Sequence, residues 1–111
     1  MAAIANLRID QGASFSSDVT VTGDDDSIFN LTGHTATAKL AKGYASTHTR
    51  TIFTTAINTA TGVVTISLNA DQTNGLEEGR YVYDVEILKT SDSTVTRVVE
   101  GIVTVYPSAT I

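Results

Sequence analysis

Residues 79–106 read GRYVYDVEILKTSDSTVTRVVEGIVTVY, and this stretch decides the fold class. Tyr81, Tyr83, Val85 and Ile87 fall on every second position, with Val82, Asp84 and Glu86 between them. Period-two alternation is the pattern of a strand with one buried face, because successive side chains point to opposite sides of a pleated sheet. Thr90-Ser91-Asp92-Ser93 then turns the chain, since short polar side chains hydrogen-bond locally to the backbone. Val95 to Tyr106 reads as the last and longest strand, and Pro107 ends it by removing a ladder donor.

The same period runs outward from this stretch. Leu7 and Ile9 alternate with Asn6 and Arg8, and Asp10-Gln11-Gly12 interrupts them; Gly12 suits a bulge or a crossing between sheets. Phe15, Val19 and Val21 share one face of a second strand. Gly23 to Ser27 is a turn, Ile28 to Leu31 a short edge strand, and Ala36, Ala38 and Leu40 mark one face of the next strand. Ala41 to His48 reads as a loop. Ile52 to Ile57 is a further strand whose two faces both carry apolar groups, so its register stays open. Asn58 to Gly62 forms a hairpin connection to Val64, Ile66 and Leu68. Asn69 caps one short helical turn through Thr73, which Gly79 closes off.

These signals predict an all-β chain of about seven or eight mostly antiparallel strands, arranged as an immunoglobulin-like sandwich. It reads as one domain over residues 1–111, with a core span of about 6–107 and loose ends at Met1 to Ala5 and Ser108 to Ile111. The expected core is Phe15, Val19, Val21, Leu40, Ile66, Leu68, Tyr83, Val85, Val99 and Val103. Tyr81 stands where sandwiches place a tyrosine corner, a phenol bonded back to backbone a few residues upstream.

Composition supports a sheet and limits the chemistry. Of 111 residues, 41% are apolar, which argues against disorder, and Thr, Val, Ser, Ala and Ile dominate. There is no Cys, hence no disulfide framework and no thiolate metal site. Seven basic and 12 acidic residues give a net charge of −5, an unfavourable balance for a phosphate backbone, so nucleic acid is not expected as a partner. The first ten residues, MAAIANLRID, lack the cationic and apolar regions of a secretory signal. No apolar run approaches the roughly 20 residues of a membrane span, so no membrane partner is expected.

Each candidate constellation has a plainer competing reading. Asp24-Asp25-Asp26 can offer hard oxygen ligands to Ca²⁺, but it lacks the alternating spacing of a calcium loop and reads as a solvated turn. His34 and His48 stand outside any spaced metal or acid–base motif. Asp84 and Glu86 lie roughly 6–7 Å apart on one strand face, a spacing reminiscent of a glycosidase pair, yet also that of an outward polar face. Asn30-Leu31-Thr32 matches a glycosylation sequon that, without a signal peptide, reads as chance. No catalytic residues, no cofactor site and no metal site are expected. Tyr44 and Tyr106 either anchor a partner or are partly buried at strand ends. With Ile4, Phe29 and Ile111 they make up the candidate protein-contact residues.

Five segments occur in order: IDQGASFS, NLTGHTATAKL, TGVVTISLNADQT, GLEEGRYVYDVEI and TVTRVVEGIVTVYP. Together they resemble a small immunoglobulin-like module of tailed-bacteriophage virion proteins, of the baseplate-upper and fibre- or neck-associated kind. The likeness runs from about Leu7 to Pro107. It implies a non-enzymatic virion building block in tail, baseplate, neck or capsid, with other virion proteins and copies of itself as partners in a symmetric homo-oligomer. Relatives often carry the module at the start of a longer protein, whereas here it stands alone, which points to a decorating or adaptor role. A carbohydrate-binding or adhesin module for host attachment is the alternative. The fold itself hosts many functions.

Overall fold

The computed structural model describes residues 3–21, 30–43 and 50–109. Within them, nine strands and one short helix follow in chain order: β1 (Ala3–Ile4), β2 (Leu7–Asp10), β3 (Phe15–Thr20), β4 (His34–Ala41), β5 (Thr51–Ile52), β6 (Thr54–Asn58), β7 (Val63–Leu68), α1 (Ala70–Asn74), β8 (Gly79–Lys89) and β9 (Thr94–Tyr106). They build a β-sandwich. The larger sheet has the order β1-β9-β8-β4-β5, with β2 also beside β9; the smaller has the order β3-β7-β6. All pairings are antiparallel except those of β1 and β2, which run parallel to β9.

The 79–106 stretch folds as read, into the two longest strands, β8 and β9, joined through Thr90 to Ser93. Ser93 holds a left-handed φ of 60°, and Asp92 accepts the Thr94 backbone N–H at 3.0 Å. Hydrogen bonds from the Thr94 side chain and then its backbone hold the Asp92 carboxyl below its ordinary range. The hairpin contains one irregularity. Val85 pairs with Val99 but Glu86 pairs with Arg97, so Val98 is an extra residue in β9. The bulge restores phase: Val99, Val103 and Val105 on one side of it face inward, and on the other Thr96 pairs with the inward Ile87, although its own side chain is exposed.

The chain passes between the sheets four times, from β2 to β3, β3 to β4, β5 to β6 and β7 to β8, and the first and third of these crossings are tight. β2 lies in the larger sheet, and Gly12, at a φ of 81° that favours glycine, turns the chain into β3 of the smaller one. Of the two roles read for Gly12, bulge or crossing, the structure selects the crossing. On the other side β5 pairs with β4 in the larger sheet while β6 pairs with β7 in the smaller. The single strand expected over Ile52 to Ile57 is therefore two. The reason is Phe53, 2% exposed, which turns into the core between them. Its ring meets Phe15 at 6.0 Å and Tyr83 edge-on at 6.3 Å. Its N–H donates to Ala38 O (2.9 Å), and Thr55 Oγ1 donates to Ala36 O (3.0 Å), so β4 keeps hydrogen-bond partners as the chain leaves it.

Nine of the ten expected core residues are buried, and Phe15 is half-buried against the same cluster. The core also takes in Ile9, Leu31, Phe53, Val64, Leu76 and Tyr81, among others. Asn69 caps α1 as expected: its side chain accepts from the Gln72 N–H (2.8 Å) while Gln72 Oε1 accepts from the Asn69 N–H (2.9 Å). Thr73, fully buried, donates to Ala13 O (2.8 Å) and ties this helix to the Gly12 crossing. Tyr81 makes the anticipated corner, its hydroxyl donating to Glu77 O at 2.9 Å.

The N-terminal expectation needs correction. The composition of Met1 to Ala5 suggests a loose tail, but Ala3 and Ile4 pair with Val99 and Glu100, and the Ala5 N–H donates to Glu100 O at 3.0 Å. The cause is Gly101. An added Cβ there would collide with the Ala5 carbonyl, so only glycine admits the N-terminal segment this close. The gap between β1 and β2 is bridged by the Asn6 side chain, which accepts the Ile102 N–H at 3.1 Å. The proposed edge strand at Ile28 to Leu31 lies mostly outside the described residues; Leu31 is buried in the core, not paired in a strand.

Candidate interaction surface

Sheet register assigns every side chain of the larger sheet to one of two faces. Inward go Tyr81, Tyr83, Val85 and Ile87 of β8 with Val99, Val103 and Val105 of β9. Outward go Val82, Asp84 and Glu86, opposite Ile102, Glu100 and Arg97. Carrying the register across the sheet puts Ile4 beside Glu100, Ile52 beside Lys39, Val95 beside Leu88 and Tyr106 beside Asp10 on this same outer face.

Among the described residues, the large apolar side chains left exposed are Ile4 (77%), Ile52 (59%), Val95 (58%), Ile102 (41%) and Tyr106 (41%). All five belong to the outer face of the larger sheet. Register separates several of them: Ile4 and Ile52 stand at opposite edges of the row Ile4, Glu100, Asp84, Lys39, Ile52, and the apolar focus of the face is Ile4, Val82 and Ile102. Two adjoining shallow depressions lie there. One is lined by Ile4, Val82, Glu100, Gly101 and Ile102, the other by Lys39, Arg50, Val82, Asp84 and Glu86; Arg97 borders both.

Charge is also unevenly placed. Arg8, Lys39, Arg80 and Arg97 face outward here and Arg50 lines the second depression, against Asp10, Asp84, Glu86 and Glu100. Elsewhere among the described residues stand Lys42 and Lys89 against Asp18, Asp71, Glu77, Glu78 and Asp92. The face is thus close to neutral on a chain of net charge −5. Arg97 organises its middle, reaching Asp84 Oδ2 at 3.5 Å and Glu100 Oε2 at 3.2 Å. Such exposed pairs add at most about 1 kcal/mol each, but they hold the side chains in place. At the far end, the Arg8 guanidinium bonds Asp10 (3.0 Å) and lies 3.9 Å above the Tyr106 ring, a cation–π stack that covers one ring face.

Of the sequence-derived contact residues, Ile4 and Tyr106 stand exposed on this one face; Phe29, Tyr44 and Ile111 lie outside the described residues, as do His48 and Asp24 to Asp26. Asp84 and Glu86 sit on the outward face, where Asp84 is engaged by Arg97. His34 Nδ1 lies 3.1 Å from Thr32 O, and among the described residues no three metal-ligating side chains gather. Asn30 is exposed, its side chain accepting the Thr32 N–H at 3.0 Å. Sequence reasoning missed Ile52, Val95 and Ile102. The available signal was phase: Val82 and Ile102 are apolar at positions where the alternation calls for polar residues. No protein-family model matches the chain, and no curated protein matches it.

Proposed function

We propose that this chain is a non-enzymatic structural module of a bacteriophage virion, acting through protein–protein contacts in the tail, baseplate, neck or capsid. The observation that carries the contact-making part of this reading is that the five large apolar side chains exposed among the described residues all lie on the outer face of the larger sheet. The virion assignment rests on the resemblance of the five ordered segments. The strand order supports the immunoglobulin-like part of it: β3, β7 and β6 in one sheet, β4, β8 and β9 in the other, with β2 beside β9 and a tyrosine corner at Tyr81. Mass spectrometry of purified particles tests the assignment. Presence in stoichiometric, repeated copies is expected, and absence from intact particles rejects it.

A further inference from the structure

We propose that the outer face of the larger sheet is a self-association surface, on which two copies of this chain pack face to face about a two-fold axis that lies in the interface along the Val82–Ile102 row. The inference rests on reading the chain as a contact-making module, and it names the partner at that surface.

Charge selects a second copy. A molecule of net charge −5 repels its own kind wherever acidic groups dominate. Away from this face the described residues carry five carboxylates against two ammonium groups. On the face, five basic residues meet four acidic ones. This is where two copies can approach, and it is also where Ile4, Ile52, Val95, Ile102 and Tyr106 are left for a partner to cover.

Symmetry places the axis. In a two-fold interface a residue on the axis meets its own copy, so a charge there repels itself and an apolar side chain does not. Val82 and Ile102 are cross-strand neighbours near the middle of the face, and both are apolar. The next row, Glu100, Asp84 and Lys39 with Arg97 beside it, lies off the axis and carries both signs. With the axis along the Val82–Ile102 row, Asp84 of one copy faces Arg80 of the other, since the two stand equally far from Val82 along β8. The size suits a concentration-dependent dimer: β4, β8, β9 and the β1–β2 edge give four strand widths over about eight residues, roughly 500 Å² per copy, or about the 1,000 Å² in total that a specific interface needs.

Analytical ultracentrifugation of the full chain from micromolar to millimolar concentration tests this. The chain should dimerise, and Ile102→Glu should raise the dissociation constant on the order of tenfold or more while far-UV circular dichroism stays unchanged. Because the chain contains no cysteine, Ile102→Cys gives an independent readout. Mild oxidation should link two copies through it rapidly, and should not do so for Thr65→Cys on the outer face of the smaller sheet. A chain that stays monomeric throughout the range overturns the proposal, as does equal crosslinking at both positions. So does an Ile102→Glu protein that is folded and dimerises as before. A monomer that is nevertheless present in particles rejects self-association and leaves the virion reading standing; a dimer absent from particles does the reverse.

Discussion

Tyr83 places a phenol in the core, 1% exposed, and its hydroxyl donates to Ala5 O at 2.6 Å. Burial pushes its pKa from 10.0 up to about 12. A raised folded-state pKa means that the unfolded chain ionises first. Stability from this group is therefore intact below pH 10 and is lost as pH rises toward 12, by on the order of 2–3 kcal/mol in all. Urea denaturation across that window should show the fall. In Tyr83→Phe the fall should shrink, and stability at pH 7 should drop by about 1–2 kcal/mol because the Ala5 carbonyl loses its partner. Gly101, directly across from Tyr83, faces the same carbonyl. Gly101→Ala should cost about 1–3 kcal/mol by overpacking, with the amide of Ala5 losing its protection from hydrogen exchange.

At the scale of the element, β1 is only two residues long, yet Ala5 beyond it satisfies the Tyr83 hydroxyl. Deleting Met1 to Ala5 should therefore lower stability by on the order of 1–3 kcal/mol, measured by chemical denaturation. A tail that merely trailed from the domain would give no change. Long elements were the legible ones. β8 and β9 each show enough alternation to declare face and extent, and the Asn69–Gln72 capping box marks α1 by residue type and spacing. The broken elements were not legible. Ile52 to Ile57 reads as one strand because alternation carries no information on which neighbour each half will pair with. Only the burial of Phe53 between two sheets divides it.

The whole molecule depends on a core shared by both sheets. Ile66 of β7 and Val85 of β8 are each fully buried. Ile66→Ala should cost about 2–5 kcal/mol, and Val85→Ala somewhat less, by deleting packed methyl groups and leaving a cavity. Ile102→Ala, on the outer face, should stay within about 0.5 kcal/mol for the isolated chain, read by the same denaturation. A large loss at Ile102 would mean that the face is already covered within one chain. The paired crossings at Gly12 and Phe53 explain why so much depends on the shared core: they link the sheets through continuous backbone, so disturbing one sheet displaces the other.

The amino-acid sequence by itself determined the all-β class, the inward face of nearly every long strand, the helix cap and the tyrosine corner. Each of these depends on residues close together in the chain, where period two, side-chain capping and local hydrogen bonds act directly. Tertiary structure alone decided that the N-terminal segment runs parallel to β9, that Gly101 makes room for it, and that Phe53 turns the chain between sheets. It also decided that Ile4, Ile52, Val95, Ile102 and Tyr106, spread over a hundred residues of sequence, share one surface. These are outcomes of strand order and of a one-residue bulge at Val98, and pairing between distant strands leaves no periodic trace in either partner's own sequence.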